Sequence, residues 1–169
     1  MKNEICELIY NKEIAQGIFE LAFRSEEMAA LALPGQFVHL KASTGLYPLL
    51  RRPISIHCID KINGIVSIIY HIMGQGTEAI SKQQSGSVDV MGPLGTGFPI
   101  IEGKKCAVVG GGIGTAPLLE VAKNLSDCDA FLGFRDCTYK VEEFENNSSK
   151  VYVTTEDGIV GYKGYITEQ

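Results

Sequence analysis

The sequence predicts a fold in two parts: an antiparallel β-barrel over residues 1–100, then a partial α/β lobe built on a parallel sheet over residues 101–169. Three observations predict it. The first hundred residues break into short β-rich runs divided by turn residues. A glycine-dense stretch, Gly92-Pro93-Leu94-Gly95-Thr96-Gly97-Phe98, ends that pattern. Beyond it come a short apolar strand, a glycine run, a helical spacing and two more strands, which is how a parallel α/β sheet begins. The boundary falls around Pro99 to Lys104.

In the first part, Glu4 to Tyr10 and Gly17 to Arg24 read as strands joined by the polar turn Asn11-Lys12-Glu13. In the second of them Ile18, Glu20, Ala22 and Arg24 alternate with Phe19, Leu21 and Phe23, the pattern of a half-buried strand. Glu26 to Leu33 is alanine-rich and stops at Pro34-Gly35, so it is a loop or short helix. Further strands are expected at Gln36 to Ala42, Pro53 to Asp60, Ile65 to Ile72 and Ser87 to Met91, divided by turns at Gly45, Asn63-Gly64 and Ser85-Gly86. Asn63-Gly64 is a hairpin signal because both residues tolerate positive φ.

In the second part, Lys105 to Val109, Ala130 to Phe134 and Val151 to Thr155 read as strands. Thr115 to Leu125 carries apolar residues at helical spacing, and a short charged helix is expected between the last two strands. In a doubly wound sheet three such strands lie in the order 3-2-1, and a fourth adds beside the first. No fourth strand is legible here. Lys105 to Val109 is therefore expected to be an open apolar edge, prone to self-association or to loose order in residues 105–169.

Composition excludes several classes of function. With 45% hydrophobic and 21% charged residues, the chain is globular rather than disordered. Its net charge of −5 includes no basic stripe to neutralise phosphates, so no nucleic-acid partner is expected. No apolar run approaches the roughly 18 to 20 residues of a membrane span, and Met1-Lys2-Asn3-Glu4 opens no targeting segment, so a cytoplasmic protein is expected. Cys6, Cys58, Cys106, Cys128 and Cys137 are odd in number and widely spaced, without C-x-x-C; they read as free, mostly buried thiols, with no metal site. Three histidines without triad or metal spacing give hydrolytic chemistry no support, and His71, in an apolar strand, reads as a packed core residue.

Four elements carry the chemistry. In Leu49-Leu50-Arg51-Arg52-Pro53-Ile54-Ser55-Ile56 a guanidinium can pair with a pyrophosphate through its fork of donors, and Ser55 can meet the polar edge of a planar ring. Ile69-Tyr70-His71-Ile72-Met73-Gly74-Gln75-Gly76-Thr77 leads into a short helix over Glu78 to Lys82, with Thr77 as the candidate N-cap. Gly92 to Phe98 is an interdomain hinge placed to line a cofactor cleft. Val108-Val109-Gly110-Gly111-Gly112-Ile113-Gly114-Thr115-Ala116-Pro117 stands in the strand–turn–helix context of a phosphate-binding turn. Thr115 fills the place of the third glycine of G-x-G-x-x-G, and Pro117 falls in the first helical turn, where a missing N–H costs nothing.

Together and in this order the four elements resemble the ferredoxin-NADP reductase superfamily, and within it the electron-transfer subunits of class B dihydroorotate dehydrogenase. The likeness runs over nearly the whole chain, and its specificity lies in the combination. It implies that Arg52, Pro53, Ile54, Ser55, Ile69, Tyr70, His71, Gly76 and Thr77 hold FAD on the barrel. It implies that Gly110, Gly111, Gly112 and Gly114 take the nicotinamide nucleotide. The family passes a hydride from NADH to FAD, then single electrons through a 2Fe–2S cluster to an FMN-containing catalytic subunit, the expected partner, which acts on dihydroorotate in pyrimidine biosynthesis.

The four-cysteine segment that holds the family's cluster, and the Cys-Gly-Pro motif that faces the nicotinamide, are absent from this chain. Cluster ligands are thus missing, and no catalytic residue is assigned. Gly133-Phe134-Arg135-Asp136 leaves the nucleotide open: an acid favours a free ribose 2′-OH, an arginine a 2′-phosphate, and the family likeness favours NAD. Related alternatives are the small subunit of sulfide dehydrogenase or of ferredoxin:NADP oxidoreductase. An alternative of another class is a non-catalytic flavin-binding or assembly module.

Overall fold

The computed structural model describes residues 2–42 and 49–168, so the turn expected at Gly45 lies outside the described residues. Six strands close into a barrel: β1 (Lys2–Ala15), β2 (Ile18–Arg24), β3 (Phe37–Leu40), β4 (Arg52–Asp60), β5 (Ile65–His71) and β6 (Ser87–Leu94), in the order β1-β2-β5-β4-β3-β6. Every pairing is antiparallel. Alternation drives this closure: Leu21, Phe23, Val38, Ile56, Ile68 and Val90 point into a common core. Helix α1 (Glu26–Leu31) fills the connection after β2, its first turn capped where the Ser25 hydroxyl oxygen accepts from the Met28 N–H at 3.2 Å.

Three sequence expectations need correction here. The chain does not turn at Asn11-Lys12-Glu13; β1 runs on to Ala15, and the hairpin turns at Gln16-Gly17, where Gly17 takes a φ of 69°. Asn11 stays in the strand because its amide donates to the carbonyls of Ile80 and Gln83, partners that are distant in sequence. The β4–β5 hairpin forms, but of its Asn63-Gly64 pair only Gly64 has positive φ; the four-residue loop is instead held by the Asp60 carboxylate, which accepts from the N–H groups of Ile62 and Asn63. Finally, β2 is not half-buried along its length: Glu20, Leu21, Ala22 and Phe23 are all buried, because the second lobe covers the outer face.

That lobe carries a parallel sheet of β7 (Lys105–Gly111), β8 (Asp127–Phe134), β9 (Lys150–Thr155) and the two-residue β10 (Tyr162–Lys163), in the order β10-β9-β8-β7. The first three take the expected 3-2-1 arrangement, and β7 is an edge among the described residues. β10 was not foreseen and pairs with β9 rather than beside β7. The helix expected over Thr115 to Leu125 is divided: a 3₁₀ turn over Gly112–Thr115, then α3 (Leu118–Lys123), with Pro117 at its N-cap. The charged helix α4 (Val141–Glu145) lies between β8 and β9.

The two parts share a seam. Ile69, on barrel strand β5, buries its side chain in the core of the second lobe with Val108, Leu119 and Leu132, while its neighbours Ile68 and Tyr70 face the barrel interior. Strand β4 is fastened to α3: Glu120 Oε2 accepts from the Ile59 N–H at 3.0 Å, and Lys123 Nζ lies 2.8 Å from Cys58 Sγ. Glu20, only 3% exposed, faces Lys12 at 3.4 Å and Lys140 at 3.1 Å and accepts from the Tyr10 hydroxyl at 3.0 Å. Among the described residues no helix is long and apolar enough to cross a membrane. Of the five free thiols, Cys6 and Cys128 are buried and the other three are half-buried, fewer than the sequence led us to expect.

Candidate functional site

The outward face of β4 begins the site. Ile54 and Ile56 point into the barrel, so the intervening Pro53, Ser55 and His57 point out. The two adjacent arginines divide their roles. Arg51 is bound into the barrel, its guanidinium 2.8 Å from both Asp89 Oδ1 and Asn3 Oδ1. Arg52 has no carboxylate within ion-pair distance among the described residues; its guanidinium donates to the Leu50 carbonyl and lies against helix α2 (Gln75–Ser81).

That contact explains Gly76. A Cβ there would stand 2.0 to 2.3 Å from three guanidinium atoms of Arg52, so only a glycine lets the cation rest on the first turn of the helix. Thr77 is not the N-cap. It is the third residue of α2, and its hydroxyl oxygen reaches back to accept from the Met73 N–H at 2.9 Å and the Gly74 N–H at 3.3 Å.

Arg52, Pro53, Ile54, Ser55, Ile69, Tyr70, His71 and Thr77 line one cleft of about 320 Å³, closed on the far side by Ile113, Gly114, Ala116 and Pro117 of the second lobe. Gly76 sits behind Arg52. The Tyr70 hydroxyl turns away, donating to Asn11 Oδ1 at 3.0 Å, and burial pushes its pKa up to about 12, so it offers no proton to the cleft. His71 is exposed rather than packed in the core, at the mouth this cleft shares with a second.

The second cleft, of about 610 Å³, runs from Gly17 and Ile18 past Gly112 and Ile113 to Phe134, Arg135, Asp136 and Tyr139. Gly112 and Gly114 have open space where a Cβ would stand, whereas a Cβ on Gly110 would meet Leu118 Cδ1 at 2.6 Å. The glycine run therefore divides: Gly110 allows strand and helix to pack closely, Gly112 and Gly114 face the clefts, and Gly111 lines neither. Thr115 also gains a reason. Its hydroxyl donates to the Tyr139 oxygen at 2.9 Å, and Tyr139 in turn donates to the Gly112 carbonyl at 2.7 Å, a buried relay that fixes the turn.

Sequence reasoning gave no role to Met73, Ile113 or Tyr139; Met73 and Ile113 stand within the second and fourth elements, whereas nothing local marked Tyr139. The loop Gly92 to Phe98, expected to line a cleft, lines neither: β6 continues through Leu94, and Phe98 packs on Gly35. Cys106 and Cys128 are cross-strand partners on β7 and β8, but among the described residues no group of three or more His, Cys, Asp or Glu side chains is placed to hold a metal ion.

No family model matches the chain. It is 39% identical over 178 aligned positions to the dihydroorotate dehydrogenase B (NAD(+)) electron transfer subunit of Bacillus mycoides, with 99% of this chain and 68% of that protein covered. It is 41% identical to the subunit of the same name from Bacillus velezensis, covering 94% and 65%, and 39% identical to that of Desulforamulus reducens, covering 92% and 62%. The chain thus spans about two thirds of the length of these relatives. Among solved structures, an NADH-dependent reduced ferredoxin-NADP oxidoreductase studied for flavin-based electron bifurcation superposes with a TM-score of 0.86 at 29% identity, covering 98% of this chain and 61% of the other. A ferredoxin NADP+ reductase from Neisseria gonorrhoeae with bound FAD and NADP gives 0.73 at 16% identity, covering 97% and 73%, a likeness of fold alone.

Proposed function

The chain belongs to the family of dihydroorotate dehydrogenase B electron-transfer subunits, and on that premise we propose that it holds FAD in the cleft beside Arg52 and passes electrons between NAD(H) and a partner oxidoreductase. The observation that carries the reading is the junction of the two clefts. They meet at His71 and Ile113, so a ring in the first and a nicotinamide in the second would lie side by side. FAD, when bound, accepts a hydride as two electrons and releases them singly.

The chain's own residues bind and orient. Arg52, without a carboxylate partner among the described residues, pairs with the diphosphate through its planar fork. Ser55 and the backbone of residues 54–55 and 69–71 line the same cleft and would meet the polar edge of a flavin there, while Pro53 and Ile113 would shield it from water. Gly112 and Gly114 leave room for nucleotide phosphate; Arg135 and Asp136 both line that cleft and do not decide the nucleotide, and the NAD(+) in the relatives' names favours a free ribose 2′-OH. Residues 1–100 serve as the FAD unit and residues 101–169 as the nucleotide unit. The partner is an FMN-containing dihydroorotate dehydrogenase catalytic subunit. A second reading, in which the partner belongs to a ferredoxin:NADP oxidoreductase, draws on the 0.86 superposition.

Release of bound cofactor by heating, followed by chromatography, tests the binding claim. FAD at one per chain is expected, and recovery of FMN alone, or of no flavin after reconstitution, refutes it. Anaerobic NADH should bleach the bound flavin; a yellow protein that NADH leaves unchanged refutes the transfer role while leaving the binding role standing.

A further inference from the structure

His57 is 1% exposed and lies outside the barrel core, under the second lobe. Its Nδ1 stands 2.7 Å from the carbonyl oxygen of Ala116. A carbonyl only accepts, so Nδ1 carries the proton. Ala116 follows directly on the turn Gly112–Thr115 and itself lines the first cleft. On the other side of the ring, Nε2 is 3.6 Å from Glu143 Oε2 of α4, and Glu143 is paired with Lys140, which also faces the buried Glu20.

The position of His57 on β4 gives this contact its meaning. Pro53, Ser55 and His57 share one face of the strand, and residues two apart lie roughly 6.5 Å apart along it. The strand that forms one wall of the first cleft thus reaches across, two residues later, to hold the segment forming the opposite wall. The relay from Thr115 through Tyr139 to the Gly112 carbonyl fixes the turn internally, but it ties the turn only to its own lobe. His57 ties it to the barrel.

We propose that His57 is a positioning residue that holds the glycine turn in register with the Pro53–Ser55 wall, so that nucleotide and flavin meet at a fixed separation. This rests on reading the two clefts as neighbouring flavin and nucleotide sites. A purely space-filling role would be met by any residue of similar volume; a positioning role requires a donor where Nδ1 stands. Asparagine places an amide N–H near that point, glutamine carries it about one bond too far, and leucine has none.

The test compares His57→Leu, His57→Gln and His57→Asn in the full chain reconstituted with FAD, by hydrogen exchange and by calorimetric titration with NADH. For Leu and Gln, amides 110–116 should exchange about tenfold faster, the scale of one lost hydrogen bond to a buried group, while those of 65–71 keep their wild-type rates. NADH affinity should fall by a similar factor, and Asn should restore both. Wild-type exchange at 110–116 in the Gln variant, a loss spread evenly over both lobes, or an Asn variant no better than Leu would overturn the proposal. If the wild-type chain binds no NADH, the nucleotide reading fails, and the exchange pattern alone still decides whether His57 holds the turn.

Discussion

Replacing Gly76 with alanine separates cofactor binding from stability, because the two should move in opposite directions. Gly76 has no positive φ, so the backbone accepts alanine, and within a helix the exchange favours folding by up to about 1 kcal/mol. The new methyl would stand 2.0 to 2.3 Å from Arg52 Nε, Nη2 and Cζ. Those atoms end a flexible side chain, so the guanidinium swings away rather than the helix moving. Its place over the first turn of α2 is lost, and with it the proposed charge-assisted hydrogen bond to the FAD diphosphate, which would be worth about 1.5 to 3 kcal/mol. FAD should therefore bind roughly 10 to 150 times more weakly, while the melting temperature of the flavin-free protein is unchanged or slightly raised. Arg52→Ala should weaken FAD by a similar amount. The double variant should be no weaker than Arg52→Ala, since the methyl then displaces nothing. Titration of flavin-free protein with FAD, followed by flavin fluorescence, measures all three. Unchanged affinity in Gly76→Ala, or a double variant whose losses add, would refute the placement of Arg52 at the diphosphate.

Three further outcomes follow from the geometry. His57 and Lys140 beside Glu143 hold its carboxyl at about 2, below its ordinary 4.5, so its contribution to stability is present above pH 4.5 and is lost as pH falls towards 2; the melting-temperature gap between wild type and Glu143→Gln should close over that range, and a constant gap would contradict the assignment. Tyr139→Phe removes the donor to the Gly112 carbonyl and should cost about 1 kcal/mol, read as a lower melting temperature with weaker NADH binding; no change in either would make the relay incidental. Among the described residues β7 ends its sheet, so in this chain its amides should exchange faster than those of β8, or the chain should self-associate in sedimentation; a monomer with equal protection in both strands would contradict an open edge.

Much of the fold was legible because strand parity is local. Alternation in Phe19 to Phe23, the glycine run after Val109 and the helical spacing of Leu118 to Leu125 each report on their own segment. What escaped depended on partners distant in sequence. Asn11 looked like a turn residue because the carbonyls of Ile80 and Gln83 that satisfy its amide lie some 70 positions away. His71 was expected in the core and His57 passed unremarked, although both point outward from the barrel. Parity says which way a side chain points, not which stretch of the outer wall a second lobe covers, and the lobe covers His57 and stops short of His71. In the candidate site the residue types were readable, since arginine, glycine and a strand-helix junction announce anion chemistry. The division of labour between Arg51 and Arg52 was not, because it turns on Asp89, which β6 brings up from elsewhere in the barrel.

The burial of Ile69 in the neighbouring core means that the boundary near residue 100 joins the two halves covalently without marking a place where they can be parted. Ile14, Ala15 and Ile18 pack on the same apolar cluster. A fragment cut at that point would carry a greasy strip along strands β1, β2 and β5 into water, and the excised second half would lack part of its own floor. Exchange of either half with that of a relative, by recombination or by design, must therefore carry these four barrel positions along with the α/β half they serve.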